Sequence, residues 1–143
     1  MTEFAFDDRN IRWKSLDGIE HLSLSVLDAD GKNGIIHVLF KFTANQRIIL
    51  HRHLTLNKTM TIQGEHRLYH PDGRLKEIRP VGSFNVAPPS NDPHREGGGD
   101  QDAIVLFAIH GEGALYEALD DGLNVLRTLT AQDFIGLRDS EER

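Results

Sequence analysis

The sequence predicts an all-β barrel built as a single domain. Short runs rich in β-branched, aromatic and alternating apolar residues recur along the chain, turn residues separate them, and no segment sustains a helical period for more than about two turns. With 143 residues, 38% of them hydrophobic, there is material for one core and no need for a second.

At least eight strands are expected, from 21–27, 35–42, 46–53, 58–63, 66–70, 75–79, 103–110, 113–119 and 123–129. Asp30-Gly31 and Asn33-Gly34 turn the first run into the second. Pro71-Asp72-Gly73 does the same after 66–70, Gly111-Glu112-Gly113 after 103–110, and Asp120-Asp121-Gly122 after 113–119. Residues 88–102, PPSNDPHREGGGDQD, are too rich in Pro and Gly for a strand and read as one long irregular loop, flexible at Gly97-Gly98-Gly99. Residues 1–20 form an arm whose Phe4, Phe6 and Trp13 are more apolar than a free tail needs, so it is expected to pack on the barrel or on a neighbouring subunit. The barrel then spans 21–137, and 138–143, RDSEER, form a solvated tail.

Composition removes whole classes of function. There is no cysteine, so disulfides, thiolate zinc sites, iron–sulfur clusters and cysteine nucleophiles are excluded, and any metal must be held by nitrogen and oxygen. The formal charge of −6 repels nucleic acid. The opening MTEFAFDDRN has neither the basic start nor the apolar stretch of a secretion signal, and no apolar run approaches the roughly 20 residues that span a bilayer. A cytoplasmic location, without membrane or nucleic-acid partners, is expected.

His51-Arg52-His53 is the most informative motif. Residues two apart on a strand share a face, so both imidazoles can converge on one ion while Arg52 points away. His94, behind Pro88-Pro89 on a distant segment, would supply a third nitrogen.

These residues resemble the two motifs of the cupin superfamily, a histidine pair followed by a carboxylate and a glycine, then a proline-rich turn leading to another histidine. His51, His53 and Gly64 stand at the first-motif spacing, with Asn57 at the usual carboxylate position, and Pro89-Ser90-Asn91-Asp92-Pro93-His94 fits the second. The closer resemblance, over residues 35–135, is to the cupins related to acetylacetone-cleaving and dihydroxyacetophenone dioxygenases and to the cupin half of some anti-sigma factors. There, too, a Gly-Ser-aromatic strand like Gly82-Ser83-Phe84 leads into a double proline. Two positions depart from those relatives: Ala87 stands where many carry a glutamate, and Lys58 where a histidine is common.

The resemblance implies an RmlC-like cupin jelly-roll β-barrel that binds Fe(II) through His51, His53 and His94 and uses dioxygen to cleave a carbon–carbon bond of a β-diketone-like or hydroxyaryl-ketone substrate. It also admits a non-catalytic cupin that holds Zn(II) as a binding or sensing module, and a zinc- or manganese-dependent isomerase or hydrolase. Cupins of this shape are commonly homodimers or homotetramers. Three neutral imidazoles leave a divalent ion its full charge and open positions, which favours an anionic chelating substrate such as an enolate.

Parity from Asn57 puts Thr59 and Thr61 on the barrel interior, where they can line the pocket. Arg67 and Tyr69, at one parity on the next strand, are candidates for contacting an anionic substrate or fixing a ligand imidazole, and Glu96, two past His94, is a candidate substitute for the missing carboxylate. His66 and His70 flank the Pro71 turn and are expected on the surface. His21, His37 and His110 are assigned no role, and the glycine run lacks the Gly-Lys-Ser/Thr and the helix of a phosphate cradle.

Overall fold

Alternation decides which face each strand turns inward, and a computed structural model, which describes residues 4–140, shows where those faces meet. The strands are β1 (Leu22–Asp30), β2 (Ile35–Phe42), β3 (His51–His53), β4 (Leu56–Gln63), β5 (His66–Tyr69), β6 (Leu75–Arg79), β7 (Phe84–Ala87), β8 (Arg95–Gly97), β9 (Ala103–His110), β10 (Ala114–Leu119) and β11 (Val125–Thr130). One helix, α1 (Ala131–Asp139), follows. Every ladder is antiparallel. Five strands form a sheet in the order β1-β2-β9-β4-β7, and two three-stranded sheets, β11-β10-β3 and β6-β5-β8, complete the barrel.

The core follows from period two. Ile36, Val38, Phe40 and Phe42 of β2 face Val105, Phe107 and Ile109 of β9 inside the barrel, all buried. Phe40 meets the edge of Phe107 at 4.8 Å between ring centroids, a favourable aromatic geometry. β4 differs from these two: its inward residues are Asn57, Thr59, Thr61 and Gln63, so a polar stripe crosses an otherwise apolar interior. That stripe runs toward the site. Gly64 ends it at φ +69°, and a Cβ there would stand 2.9 Å from the Asp102 carbonyl oxygen, so both conformation and space require glycine.

Several expectations need correction. The run 46–53 is strand only at 51–53; before it the chain makes single links, Ile48 N–H to the Glu96 carbonyl at 2.8 Å and an Arg47–Gly97 bridge. The 88–102 loop contains β8, and Gly97, Gly98 and Gly99 are buried rather than flexible, because the backbone of residues 42–47 passes directly against them. The helix was not anticipated because it is short and buries only Ala131 and Phe134. Its signal is the capping box, in which Thr130 and Asp133 satisfy each other's backbone N–H groups.

The N-terminal arm lies on its own barrel: Leu16 and Ile19 join the core, Lys14 bridges to Leu24, and Trp13 sits under the Lys41 ammonium at 4.4 Å while donating to Asp8. Phe4 is exposed. At the other end, Arg138 and Asp139 are exposed and form the last turn of α1, and Arg138 donates to the Ala29 carbonyl. Residues 1–3 of the arm and 141–143 of the tail lie outside the described residues. Among the described residues, no helix is long and apolar enough to cross a membrane.

Candidate metal centre

β3 is three residues long, and its pairing places the centre. Arg52 registers with Glu117 on β10 and donates to its carboxylate at 2.7 Å outside the barrel, which turns His51 and His53 inward. Across from them, His51 and His94 exchange backbone hydrogen bonds of 3.0 and 2.9 Å, so the second and third sheets are joined where the ligands are needed. His94 and Glu96 then share a face of the β8 segment by the same period of two.

The donor atoms of His51, His53, His94 and Glu96 all lie within 4.8 Å of one another. Glu96 Oε1 is at the middle, 2.9 Å from His94 Nε2, 3.4 Å from His53 Nε2 and 3.6 Å from His51 Nε2. His51 Nδ1 lies 2.9 Å from the Ile49 carbonyl, which orients the ring so that Nε2 points into the cluster. His53 Nε2 is buried without a hydrogen-bond partner. Three imidazole nitrogens and a carboxylate oxygen converge on one point, with His53 Nε2 left unpartnered, and this nitrogen and oxygen donor set fits a divalent metal ion.

The electrostatics agree. Burial pushes His53 down to about 4 and lowers His94 as well, against the pull of Glu96, so both rings are neutral and ligand-ready near neutral pH. Burial also works against charge on His51, but the hydrogen bond and negative charge of Glu96 outweigh it and raise its pKa. Burial alone would raise Glu96; the imidazoles around it hold it well below the usual carboxylate range. The cluster therefore keeps a buried anion, the usual sign of a missing positive partner.

Asn57 is not available as a ligand. It is fully buried, its amide N–H donates to the Thr55 carbonyl at 3.0 Å, and its oxygen accepts from the Tyr116 hydroxyl at 2.5 Å. Tyr116 packs edge-on to His53 at 5.0 Å, and burial with the nearby Glu96 charge raises its pKa well above 10, so it stays a neutral donor. Among the described residues, the carboxylate of the cluster is Glu96 of β8, two residues past His94.

Two spaces meet at the cluster. An inner cavity of about 40 Å³ is walled by apolar residues including Leu16, Phe40, Phe107 and Phe134; it has room for only a few water-sized groups. An outer pocket of about 280 Å³ opens past His53, His94 and Glu96 to a polar rim with Lys76, Arg79, Ser90 and Asp92. Thr59 lines it, as parity predicts, and so does Ala87.

Arg67 and Tyr69 are a correction. They face away from the pocket, Arg67 paired with Glu65 at 2.6 Å and Tyr69 packed beneath Arg47 at 5.3 Å; their neighbours His66 and Leu68 point inward. His66 is a second correction, since it is buried in the interior and not on the surface. The signal was the lone aliphatic Leu68 in HRLYH, which sets the inward parity at 66 and 68.

No protein-family model matches the sequence, and no curated protein matches it. Solved structures do match in shape. An RmlC-like cupin protein from Ralstonia eutropha superposes with a TM-score of 0.72 at 18% identity, covering 94% of this chain and 83% of that one. This chain has the cupin fold. An acetylacetone dioxygenase from Acinetobacter johnsonii has the same cupin fold, with a TM-score of 0.68 at 12% identity over 96% of this chain and 91% of that one. The anti-sigma protein ChrR of Rhodobacter sphaeroides, in its complex with SigE, matches at 0.55 and 23% identity, covering 70% of this chain and 50% of that chain.

Proposed function

We propose that this cupin binds Fe(II) through His51, His53, His94 and Glu96 and cleaves a carbon–carbon bond of a β-diketone-like or hydroxyaryl-ketone substrate with dioxygen. The observation that carries the reading is the convergence of four donors, three buried and His94 half-buried, at the inner end of a pocket open to solvent. The likeness to an acetylacetone dioxygenase supports the reaction class. Iron bound there would act as Lewis acid and electron relay between enolate and dioxygen.

The rest of the work falls to the chain. His51, His53, His94 and Glu96 would hold the ion, and a six-coordinate one would then have two positions for the oxygens of a chelating enolate. With Glu96 counted, a divalent centre carries a formal charge of +1 rather than +2, and one enolate neutralises it. The Thr59 hydroxyl lines the approach, and the rim mixes Lys76 and Arg79 with Glu77 and Asp92, Arg79 being paired with Glu77 at 2.8 Å. The apolar inner wall keeps bulk water from the opposite side.

One observation favours a second reading. Three histidines and one carboxylate could also fill all four positions of a tetrahedral Zn(II) ion, and a non-catalytic binding or sensing module would use it. Elemental analysis of protein purified without added metal, followed by oxygen-electrode traces of the iron-reconstituted sample with β-diketones and hydroxyacetophenones, separates the two. Stoichiometric iron with substrate-dependent oxygen uptake supports the dioxygenase; persistent zinc with a flat trace supports the module. Full metal occupancy in a His94→Ala variant after mild chelation would refute the ligand assignment itself.

A further inference from the structure

His66 is not explained by the core or by the four-donor set. It is 1% exposed, stacked on Phe42 at 5.1 Å and edge-on to Phe107 at 6.0 Å, and neither ring nitrogen completes a hydrogen bond. A leucine would fill such a place without the cost of a buried imidazole. Its ion-pair neighbour is Glu96: His66 Nε2 stands 3.4 Å from Oε2, while Oε1 is the oxygen nearest His51, His53 and His94. The two oxygens of this carboxylate therefore have different neighbours.

A carboxylate beside a divalent ion can bind through one oxygen or both. Binding through both would raise the protein's share of a six-coordinate sphere to five and leave a single position, too few for a two-oxygen chelate. A donor held on Oε2 prevents this. Resting on the metal reading above, we infer that His66 donates its Nε2–H to Glu96 Oε2 and is a positioning residue that keeps Glu96 on the metal by Oε1 alone, so that two adjacent positions stay open for a chelating substrate. Phe42, stacked on the ring, and Phe107, edge-on to it, hold the imidazole in place beside Oε2.

The test uses Co(II), whose visible spectrum reports coordination number, and acetylacetone as the chelating probe. Wild type should bind Co(II), and acetylacetone should then change the spectrum. His66→Leu removes the donor at similar volume and should weaken Co(II) binding by about 10–100-fold, the usual effect of losing an outer partner of a ligand, and blunt the acetylacetone response. His66→Gln, which restores an N–H, should recover most of both. A His66→Leu protein with unchanged affinity and an unchanged acetylacetone response overturns the inference while leaving the metal centre standing. Failure of wild type to bind Co(II), or binding indifferent to His94→Ala, overturns the centre and this inference together. Should His66→Leu not fold, nitrogen-15 imidazole spectra of the Zn(II)-loaded wild type decide alone: a proton on His66 Nε2 supports the assignment, and a proton only on Nδ1 rejects it.

Discussion

A methyl group at position 97 would stand 1.9 Å from the Gln46 carbonyl oxygen, 3.0 Å from its carbon and 3.3 Å from the Arg47 Cα. Ordinary contact between such atoms is about 3.5 Å, so Gly97→Ala demands a backbone shift of more than about 1 Å. Neither side can give way freely. Gly97 registers with Arg67 on β5, Glu96 accepts from Ile48 at 2.8 Å, and His94 exchanges two bonds with His51. Overpacking against backbone costs typically about 1–3 kcal/mol, and this site belongs at the upper end, which for a chain of this size lowers Tm by about 10 °C. Because Glu96 is the adjacent residue, the same shift displaces the central carboxylate and should weaken metal binding at least about tenfold. Calorimetry and a Zn(II) competition titration measure both effects. The control is Gly136→Ala, an exposed helical position with nothing within 4 Å, where a gain of roughly 0.5–1 kcal/mol is expected. A Gly97→Ala protein within about 2 °C of wild type and with unchanged metal affinity would refute the close approach.

Glu96→Gln keeps the shape and removes the anion from among the imidazoles, so metal retention through a desalting column should fall well below wild type; equal retention would remove Glu96 from the ligand set. The metal-free protein should lose stability in acid. The unfolded chain protonates His53 below its usual 6.5, whereas the folded chain resists until about 4, so acid favours unfolding across that window by on the order of 3 kcal/mol. His94 adds in the same direction, and Glu96, with its lowered pKa, contributes stability that is lost as pH falls through its folded value. His51, with its raised pKa, works the other way, adding stability at low pH that fades as pH rises. Melting curves of dialysed protein from pH 7 to 4 should show a falling Tm, and a flat profile would contradict the burial argument. We also expect self-association through the apolar outer surface at the edge strand β7, where exposed Phe84 registers with Met60 and Val86 follows. Sedimentation velocity should show a dimer that Phe84→Asp converts to monomer; a monomeric wild type would retire the idea.

How much the sequence discloses varies with how each element is held. β2 and β9 are long apolar runs whose partners are each other, and both were legible to the residue. The histidine pair and Gly64 were legible because strand parity and a tight turn leave local marks. β8 was not, since its three residues owe their conformation to distant partners: Ile48, His51 and β5. The same holds for the glycine run, whose composition signals mobility while its burial comes from a neighbouring segment. On β5, Tyr69 and Leu68 competed for the inward face, and only packing against the barrel decides between them. Glu96 could be guessed as a substitute carboxylate, but its central position depends on the β3–β8 bridge.

That bridge has a consequence for the life of the protein in the cell. An ion gripped by His51 and His53 on one side and by His94 and Glu96 on the other would tie off everything from Leu54 to Pro93 as a closed loop. In a chain without cysteine, coordination would then do the work of a disulfide, whose loop-closing effect is typically about 2–4 kcal/mol. Unlike a disulfide, this staple answers to supply. Metal starvation would loosen the short β8 segment before the long ladders of β2 and β9, and expose the intervening chain to proteases, so that abundance of the protein would follow availability of its metal.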